Sequence, residues 1–187
     1  MKEALIIVDV QNDYFPNGKF PTWQPEETAE QIKILINKFR NENKEVIYVI
    51  HHSTDEQRKT LDFFEPGSWG AEIHDSVKPL PSEKVFIKEY SDSFVGTDLT
   101  EYLKSKSIDT TIVVGMMIHN CVNATAYSST DLGFKTIVVD EAVNTMDLKY
   151  NENEVIPAEV LKKSFLAGIQ FAYAKLRTMA QILDTDY

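Results

Sequence analysis

The sequence predicts an α/β fold in which helices cover both faces of a mostly parallel β-sheet. Short, continuously apolar runs are typical of strands that are buried on both faces, and several such runs occur along the chain. Segments with helical signals separate these runs, and this alternation favours parallel strands joined by helices. We therefore expect a single domain over residues 1–187, built as a three-layer sandwich around a mostly parallel, Rossmann-like sheet.

Several predicted strands lead directly into polar parts of the chain. Residues 4–8 read ALIIV and are followed by Asp9, and residues 85–87 read VFI and are followed by Lys88. Residues 111–114, TIVV, lead into a turn that begins with glycine. The other predicted strands are residues 46–50, 136–139 and 171–178.

Helix signals lie between the strands. Pro25 begins the first helix, since proline fits a first turn, and two glutamates follow near the positive end of the helix dipole. Thr97 is the predicted N-cap of a helix over residues 97–106. Further helices are expected over residues 121–132, 158–169 and 179–183, whereas residues 53–81 and 142–157 are expected to be irregular connections.

Composition and charge argue against two classes of partner. The chain has 187 residues, of which 43% are hydrophobic and 26% charged, as in an ordinary globular protein. Its net charge of −10 argues against nucleic acids and anionic membranes as partners, because both require basic patches.

The single cysteine and the first residues predict a cytoplasmic protein. One cysteine excludes an internal disulfide and fits a reducing compartment. The first residues, MKEALIIVDVQND, lack the apolar core and the cleavage site of a signal peptide. No apolar run approaches the length of a membrane span.

Cys121 lies just after a predicted strand and near the start of a predicted helix. Unpaired N–H groups and the helix dipole stabilise an anion there, so this position favours a thiolate and a thiol pKa below the ~8.5 of a free cysteine. A free cysteine is also commonly a small buried hydrophobic residue. Position alone leaves both interpretations open.

Asp9, Lys88 and Cys121 follow three different predicted strands. A parallel sheet brings the carboxyl ends of its strands to one edge, where open α/β sheets bind ligands. We therefore expect the carboxylate, the ammonium and the thiol to converge on one crevice. Together they suit nucleophilic catalysis, because the ammonium stabilises a thiolate and the carboxylate accepts the thiol proton.

Four stretches of the sequence resemble the isochorismatase-like cysteine hydrolases, a family that includes nicotinamidases and N-carbamoylsarcosine amidohydrolases. The resemblance covers nearly the whole chain and includes the order aspartate, lysine, cysteine of the family's catalytic residues. The matching stretches are ALIIVDVQNDYF at residues 4–15, FFEPGSWGAEIH at 63–74, VFIKEYSDSFVGTDL at 85–99 and GMMIHNCVNATAYSSTDLGFK at 115–135.

This resemblance implies a cysteine hydrolase that cleaves a C–N bond of a small amide, imide or carbamoyl substrate through a thioester, without a cofactor. It implies that Cys121 is the nucleophile, that Asp9 accepts and donates the proton, and that Lys88 supports both electrostatically. It also implies a cis peptide bond between Met116 and Met117, and an oxyanion hole formed by the N–H groups of Met117 and Cys121.

The chain departs from the metal motif of nicotinamidases, which place an aspartate-x-histidine sequence after the second strand. Here residues 51–55 read HHSTD, so His51, His52 and Asp55 remain a metal-binding alternative. Adjacent histidines on an extended chain point in opposite directions, which argues against joint ligation. We therefore predict no metal; a metal-dependent nicotinamidase and a non-catalytic scaffold are the alternatives to this hydrolase.

Aromatic residues in the stretches of resemblance predict a pocket for a small-molecule substrate. The residues expected to shape it are Tyr14, Phe15, Trp69, Phe94 and Tyr127. Aromatic loops also suit an oligomer interface, and the resemblance implies a homodimer or a homotetramer. The sequence leaves both uses of these loops open.

Overall fold

The computed structural model of the protein describes residues 2–184, which form a parallel sheet covered by helices. The strands of this sheet are β1 Glu3–Val8, β2 Glu45–His51, β3 Lys84–Lys88, β4 Thr110–Gly115, β5 Lys135–Val143 and β8 Lys175–Arg177. Their order is β3-β2-β1-β4-β5-β8, and every neighbouring pair is parallel. Two more strands, β6 Leu148–Asn151 and β7 Glu154–Ile156, form a separate antiparallel hairpin.

The helices are α1 Pro25–Asn41, α2 Asp55–Arg58, α3 Leu99–Ser105, α4 Cys121–Asp131, α5 Ala158–Ala172 and α6 Met179–Leu183. Strand β1 shows how they make two cores, because successive side chains of a strand point to opposite faces. Leu5 and Ile7 pack into the core that α1 and α6 cover, whereas Ala4 and Ile6 pack into the core that α3, α4 and α5 cover. The predicted three-layer sandwich is therefore confirmed.

The course of the chain around β1 creates a crevice at the carboxyl edge of the sheet. From β1 the chain builds β2 and β3 on one side and then returns to place β4 on the other side. The connections after β1 and β4 therefore leave in different directions, and open α/β sheets bind ligands at such a point. Gly115 ends β4 here with a φ of +123°, and a Cβ atom on it would lie 2.0 Å from the carbonyl oxygen of Val8, so only glycine fits.

Three expectations about secondary structure need correction. The predicted last strand, residues 171–178, is shorter, because α5 continues through residue 172 and leaves only β8. The expected irregular connection over residues 142–157 contains the end of β5 and the whole β6–β7 hairpin. Asp98, not Thr97, occupies the N-cap position of α3, but it makes no side-chain cap bond. The Thr97 hydroxyl accepts a hydrogen bond from the N–H of Leu99 at 3.4 Å and donates one to the carbonyl of Ser93 at 2.6 Å.

Residues 53–81 are largely irregular, as expected, apart from the single turn of α2 and two short 3-10 turns. Within residues 2–184, no helix has the length and apolar character needed to cross a membrane.

Candidate active site

Asp9 and Lys88 form a buried ion pair at the crevice. Lys88 ends β3, and its Nζ donates a hydrogen bond to Asp9 Oδ2 at 2.8 Å, with both side chains 0% exposed. Asp9 follows β1 with a positive φ of 52°, which is uncommon outside glycine and recurs at functional sites. Its second carboxylate oxygen, Oδ1, is buried and has no hydrogen-bond partner among residues 2–184.

The charge state of Lys88 follows from its neighbours. Burial alone lowers the pKa of an ammonium, because it penalises the charged form. The Asp9 carboxylate and the Cys121 sulfur outweigh that penalty and raise the pKa of Lys88 above its ordinary value. Lys88 is therefore an ammonium at neutral pH.

Cys121 is the first residue of α4, carries a free thiol and is 4% exposed. Its Sγ, a carboxylate oxygen of Asp9 and a ring nitrogen of His51 all lie within 4.8 Å of one another. Burial and the Asp9 carboxylate raise the pKa of Cys121, and the opposing effect of Lys88 is too small to reverse this. The expectation of a lowered thiol pKa is therefore wrong for the resting site, because burial penalises the thiolate and the Asp9 carboxylate repels it.

The turn between β4 and α4 contains backbone N–H groups that have no hydrogen-bond partner within residues 2–184. The peptide bond between Met116 and Met117 is cis. The Met117 carbonyl accepts a hydrogen bond from the N–H of Asn120 at 3.0 Å, and the N–H of Ile118 donates to the loop after β5 at 2.7 Å. Within the described chain, the N–H groups of Met117 and Cys121 have no hydrogen-bond acceptor.

His51 is a fourth polar residue at this site, and the sequence suggested it only as a metal ligand. It ends β2 directly beside Lys88 of β3, and its Nδ1 lies 3.2 Å from Lys88 Nζ. Burial, together with the positive charge of Lys88, lowers the pKa of His51, so the ring is neutral at pH 7. The sequence did contain a signal for this role. His51 directly follows the predicted strand over residues 46–50, just as Lys88 directly follows another predicted strand.

Gln11 and Asp13 hold the loop after β1 against its neighbours. The Gln11 side chain accepts a hydrogen bond from the N–H of His51 at 2.8 Å and donates one to the carbonyl of His51 at 2.9 Å. Asp13 Oδ2 accepts from the N–H of Phe64 at 2.7 Å, and Oδ1 accepts from the N–H of Lys19 at 3.0 Å. Both side chains are buried, so these bonds fix the loops around the ion pair.

A cavity of about 130 Å³ opens onto Cys121. One part of its wall is apolar or aromatic, and the rest is polar but has no Asp, Glu, Lys or Arg side chain. The polar loops are joined where Ser91 Oγ donates a hydrogen bond to Asn120 Oδ1 at 2.9 Å. The remaining wall residues are Tyr14, His51, Ser53, Gln57, Leu61, Phe63 and Phe64.

Two of the three aromatic residues expected from the loops lie away from this cavity. Tyr14 lines it and is fully buried. Phe15 is buried but stacks on His74, with ring centroids 3.7 Å apart, and does not line the cavity. The Trp69 side chain does not line it and is 54% exposed.

The two aromatic residues expected from the later stretches also lie outside the cavity. Phe94 packs beside Phe134, at 6.2 Å between ring centroids, in the core under α4. Tyr127 stands on α4 and packs against Tyr173, at 3.8 Å between centroids. Tyr127 lies six residues beyond Cys121, a net rotation of about 240° around the helix axis, so the two side chains leave different faces of α4.

The structure does not bring His51, His52 and Asp55 together as a metal site. The Asp55 side chain is 95% exposed and pairs with Arg58. Within residues 2–184, Asp9, His51 and Cys121 are the only cluster of His, Cys, Asp and Glu close enough to hold a metal ion. That cluster does not fit one, because the Lys88 ammonium already contacts its carboxylate and imidazole and repels a second cation.

The fold and the site define a three-layer α/β protein with a buried carboxylate, ammonium and thiol beside a small cavity. The chain belongs to the isochorismatase family of hydrolases, because a model of the isochorismatase domain matches residues 3–159. It is 37% identical to the uncharacterized isochorismatase family protein YddQ of Bacillus subtilis (strain 168), over 98% of this chain and 99% of that protein.

Solved structures agree with this assignment. The crystal structure of a putative isochorismatase hydrolase from Oleispira antarctica superposes with a TM-score of 0.91 at 35% identity, covering 98% of this chain and 97% of that one. N-carbamoylsarcosine amidase from Thermoplasma acidophilum superposes with a TM-score of 0.81 at 25% identity, covering 96% and 97%.

More distant relatives include a nicotinamidase and a streptothricin hydrolase. The nicotinamidase of Saccharomyces cerevisiae is 22% identical, over 73% of this chain and 85% of that protein. A streptothricin hydrolase of Streptomyces noursei is 28% identical, over 78% of this chain and 51% of that protein. The family therefore contains enzymes that cleave C–N bonds.

Proposed function

We propose that this protein hydrolyses a C–N bond of a small amide, imide or carbamoyl compound, with Cys121 as the nucleophile and Asp9 as the proton acceptor and donor. One observation carries the proposal: the thiol and the carboxylate lie within 4.8 Å of each other, in a buried cluster with the Lys88 ammonium. The amide-cleaving relatives support the choice of bond.

The first step is a proton transfer within the cluster. Asp9 Oδ2 is held by Lys88, whereas Oδ1 has no partner among the described residues and takes the proton of the Cys121 thiol. A carboxylate and an ammonium are thereby replaced by a thiolate and an ammonium, so the cluster is neutral before and after the transfer. Burial, the larger cause of the raised pKa of Cys121, opposes this transfer, whereas the repulsion from Asp9 disappears once Asp9 has taken the proton.

The second step is attack on the substrate. Cys121 Sγ forms a bond to the carbonyl carbon, and the π electron pair moves to the carbonyl oxygen. The N–H groups of Met117 and Cys121, which have no acceptor within residues 2–184, donate hydrogen bonds to that oxyanion. A single donor of this kind contributes on the order of 10²–10³ in kcat.

The remaining steps release the products. Asp9 gives its proton to the leaving nitrogen as the C–N bond breaks, which leaves a thioester on Cys121. Asp9 then takes a proton from water as the water oxygen bonds to the thioester carbon. When the C–S bond breaks, the sulfur recovers that proton from Asp9, so an amide and water have become a carboxylic acid and an amine.

The cavity supports a small and uncharged substrate. Its volume of about 130 Å³ holds only a small molecule, and no Asp, Glu, Lys or Arg side chain lines its wall to pair with a charged group. The aromatic side of the wall suits an apolar or planar body, and the Ser91–Asn120 side offers hydrogen bonds.

A panel of small uncharged amides tests the proposal, with released ammonia or amine as the readout for the wild type and for Cys121→Ala. We expect at least one member to be hydrolysed, and the variant to lose at least ~10³-fold in turnover. Intact-mass analysis of acid-quenched reactions is expected to show an acyl adduct on the wild type and none on the variant. Undiminished turnover by a folded Cys121→Ala variant would refute the nucleophile assignment.

A further inference from the structure

We propose that His51 is a positioning residue that shares the Lys88 ammonium with Asp9 and so keeps that ammonium beside Cys121 throughout the reaction. This inference rests on the proposed function and adds to it a residue outside the aspartate, lysine and cysteine set.

The ammonium of Lys88 has three N–H donors, and the structure supplies acceptors for two of them. Asp9 Oδ2 accepts one at 2.8 Å, and the unprotonated Nδ1 of His51 accepts another at 3.2 Å. The Cys121 sulfur is near enough to the ammonium to raise the pKa of Lys88. Of these three neighbours, His51 is the one whose charge does not change during the proposed proton transfer.

That constancy gives His51 its role. When Asp9 takes the thiol proton, the carboxylate loses the charge that holds Lys88 in place. The ammonium must then stay beside the thiolate instead of following another acceptor. The imidazole on the other side of the ammonium keeps its lone pair and holds the Nζ atom between the two reacting groups.

The backbone of His51 is fixed well enough for this task. The Gln11 side chain bonds both its N–H and its carbonyl, at 2.8 and 2.9 Å. In the sheet, His51 of β2 is the direct neighbour of Lys88 of β3, so the two side chains leave adjacent strands at the same level. The ring is buried at 9% exposure and packs 6.0 Å from the ring of Phe64.

The surroundings keep the ring neutral and fix its tautomer. An unprotonated Nδ1 places the ring proton on Nε2. Lys88 is the cation that faces the ring, and it opposes a second positive charge. The other groups that face it or share its cavity are Asp9 at the end of β1, Cys121 of α4, Tyr14 of the loop after β1, Gln57 of α2 and the Tyr90 backbone after β3.

Alkylation of the single cysteine by iodoacetamide tests this proposal without a known substrate. His51→Leu removes the acceptor, and His51→Gln replaces it with a neutral carbonyl oxygen that does not titrate. At pH 7.5 we expect alkylation of His51→Leu to be on the order of tenfold slower than wild type, the effect of about one pKa unit on the thiolate population. We expect His51→Gln to recover most of that loss.

His52→Gln is the matched control, because His52 is adjacent in the chain but does not line the cavity. It is expected to react at the wild-type rate. Wild-type alkylation by His51→Leu would overturn the proposal. The proposal would also be overturned if His51→Gln were alkylated as slowly as His51→Leu. Reactivity of Cys121 would then require an imidazole that titrates, not merely a hydrogen-bond acceptor at residue 51.

Nitrogen-15 NMR of labelled histidine provides an independent readout, since the chain has four histidines. We expect His51 to stay neutral from pH 5.5 to 8, with its proton on Nε2. In Lys88→Met, its pKa is expected to rise by at least ~1 unit, because the repelling cation is gone and Asp9 is left unpaired. If the His51 titration were the same in Lys88→Met as in wild type, the proposal would be overturned even if amide hydrolysis were demonstrated. If the titration changed, the contact between His51 and Lys88 would be supported even if no amide were cleaved.

Discussion

Strand β1 has a pair of carboxylate and lysine at each end, and in both pairs the carboxylate is buried. At the amino end, Lys44 Nζ lies 2.8 Å from Glu3 Oε2, and at the carboxyl end, Lys88 Nζ lies 2.8 Å from Asp9 Oδ2. In each pair the second carboxylate oxygen is buried and has no partner within residues 2–184. The ion pair itself therefore does not distinguish a reactive site from a structural one.

The surroundings of the two pairs differ. Lys44 is 30% exposed, also pairs with Glu42 and lies over the ring of Phe39. The Glu3 end borders a cavity of about 540 Å³, much larger than the one at Cys121. However, no cysteine, serine or histidine lines that larger cavity, whereas the smaller one adjoins a thiol and an imidazole. A nucleophile within reach of an unpartnered carboxylate oxygen, not cavity size, defines the candidate site.

The largest effect expected from this comparison comes from neutralising each carboxylate. Asp9→Asn cannot accept the thiol proton, so turnover of any cleaved amide is expected to fall by ~10³-fold. Glu3→Gln is expected to leave turnover within about twofold and to lower stability by about 1–3 kcal/mol, because it weakens one charge-assisted hydrogen bond. Steady-state kinetics and urea unfolding measure the two outcomes.

Asp9→Asn also leaves a buried ammonium without its carboxylate, which destabilises the fold. The double variant Asp9→Asn with Lys88→Met removes that charge and is expected to recover stability but not turnover. Recovery of turnover in the double variant would show that Asp9 serves only to balance the charge of Lys88.

Removing each lysine is expected to give a smaller effect on turnover. Lys88→Met keeps most of the side-chain bulk and removes the charge that stabilises the thiolate, so turnover is expected to fall by at least ~10²-fold. Lys88→Arg is not expected to restore it, because a planar guanidinium does not replace a compact ammonium between Asp9 and His51. Lys44→Met is the matched control and is expected to retain wild-type turnover. Equal turnover in the two methionine variants would remove Lys88 from the mechanism.

Much of this comparison was predictable from the sequence. Asp9 and Lys88 could be placed at the carboxyl edge because each follows a continuously apolar run, which predicts a strand. Parallel strands have their carboxyl ends at the same edge of the sheet, so the two residues were expected to lie together. The β6–β7 hairpin was missed because its strands have only 4 and 3 residues, most of them exposed, which is too short for a clear strand pattern. Phe171 was assigned to a strand, but it lies at the end of α5 and is 91% exposed, so its apolar character says nothing about burial there.

The cavity wall could not be predicted in the same way. Tyr127 and Phe94 belong to the matching stretches, but their directions depend on the phase of α4 and on contacts with residues distant in the chain. Phe63 and Phe64, which do line the cavity, belong to the irregular segment between β2 and β3. Nothing local directs them inward, because Asp13 fixes that segment through a hydrogen bond to the N–H of Phe64 across 51 positions of sequence.

The smallest expected effect concerns stability at alkaline pH. It tests whether Cys121 rests as a buried thiol, as the structure indicates, or as a thiolate, as the sequence suggested. The folded pKa of Cys121 is raised above that of the unfolded chain. Above pH ~8.5 the unfolded thiol loses its proton while the folded one keeps it, so the unfolded state binds fewer protons. Stability is therefore expected to fall as pH rises, by up to ~1.4 kcal/mol per pH unit from this group.

Urea unfolding of wild type and Cys121→Ser between pH 7.5 and 9.5 measures this contribution. Serine does not titrate in this range, so its stability relative to wild type is expected to rise by ~1.4 kcal/mol towards pH 9.5. Lys88 and Tyr14, whose pKa values are also raised, titrate in the unfolded chain only near pH 10 and above, so they change little here. A difference that stays constant with pH would mean an ordinary thiol pKa. If the stability of Cys121→Ser relative to wild type fell with rising pH, the folded thiol pKa would be lowered. Cys121 would then rest as a thiolate, and proton transfer to Asp9 would be unnecessary.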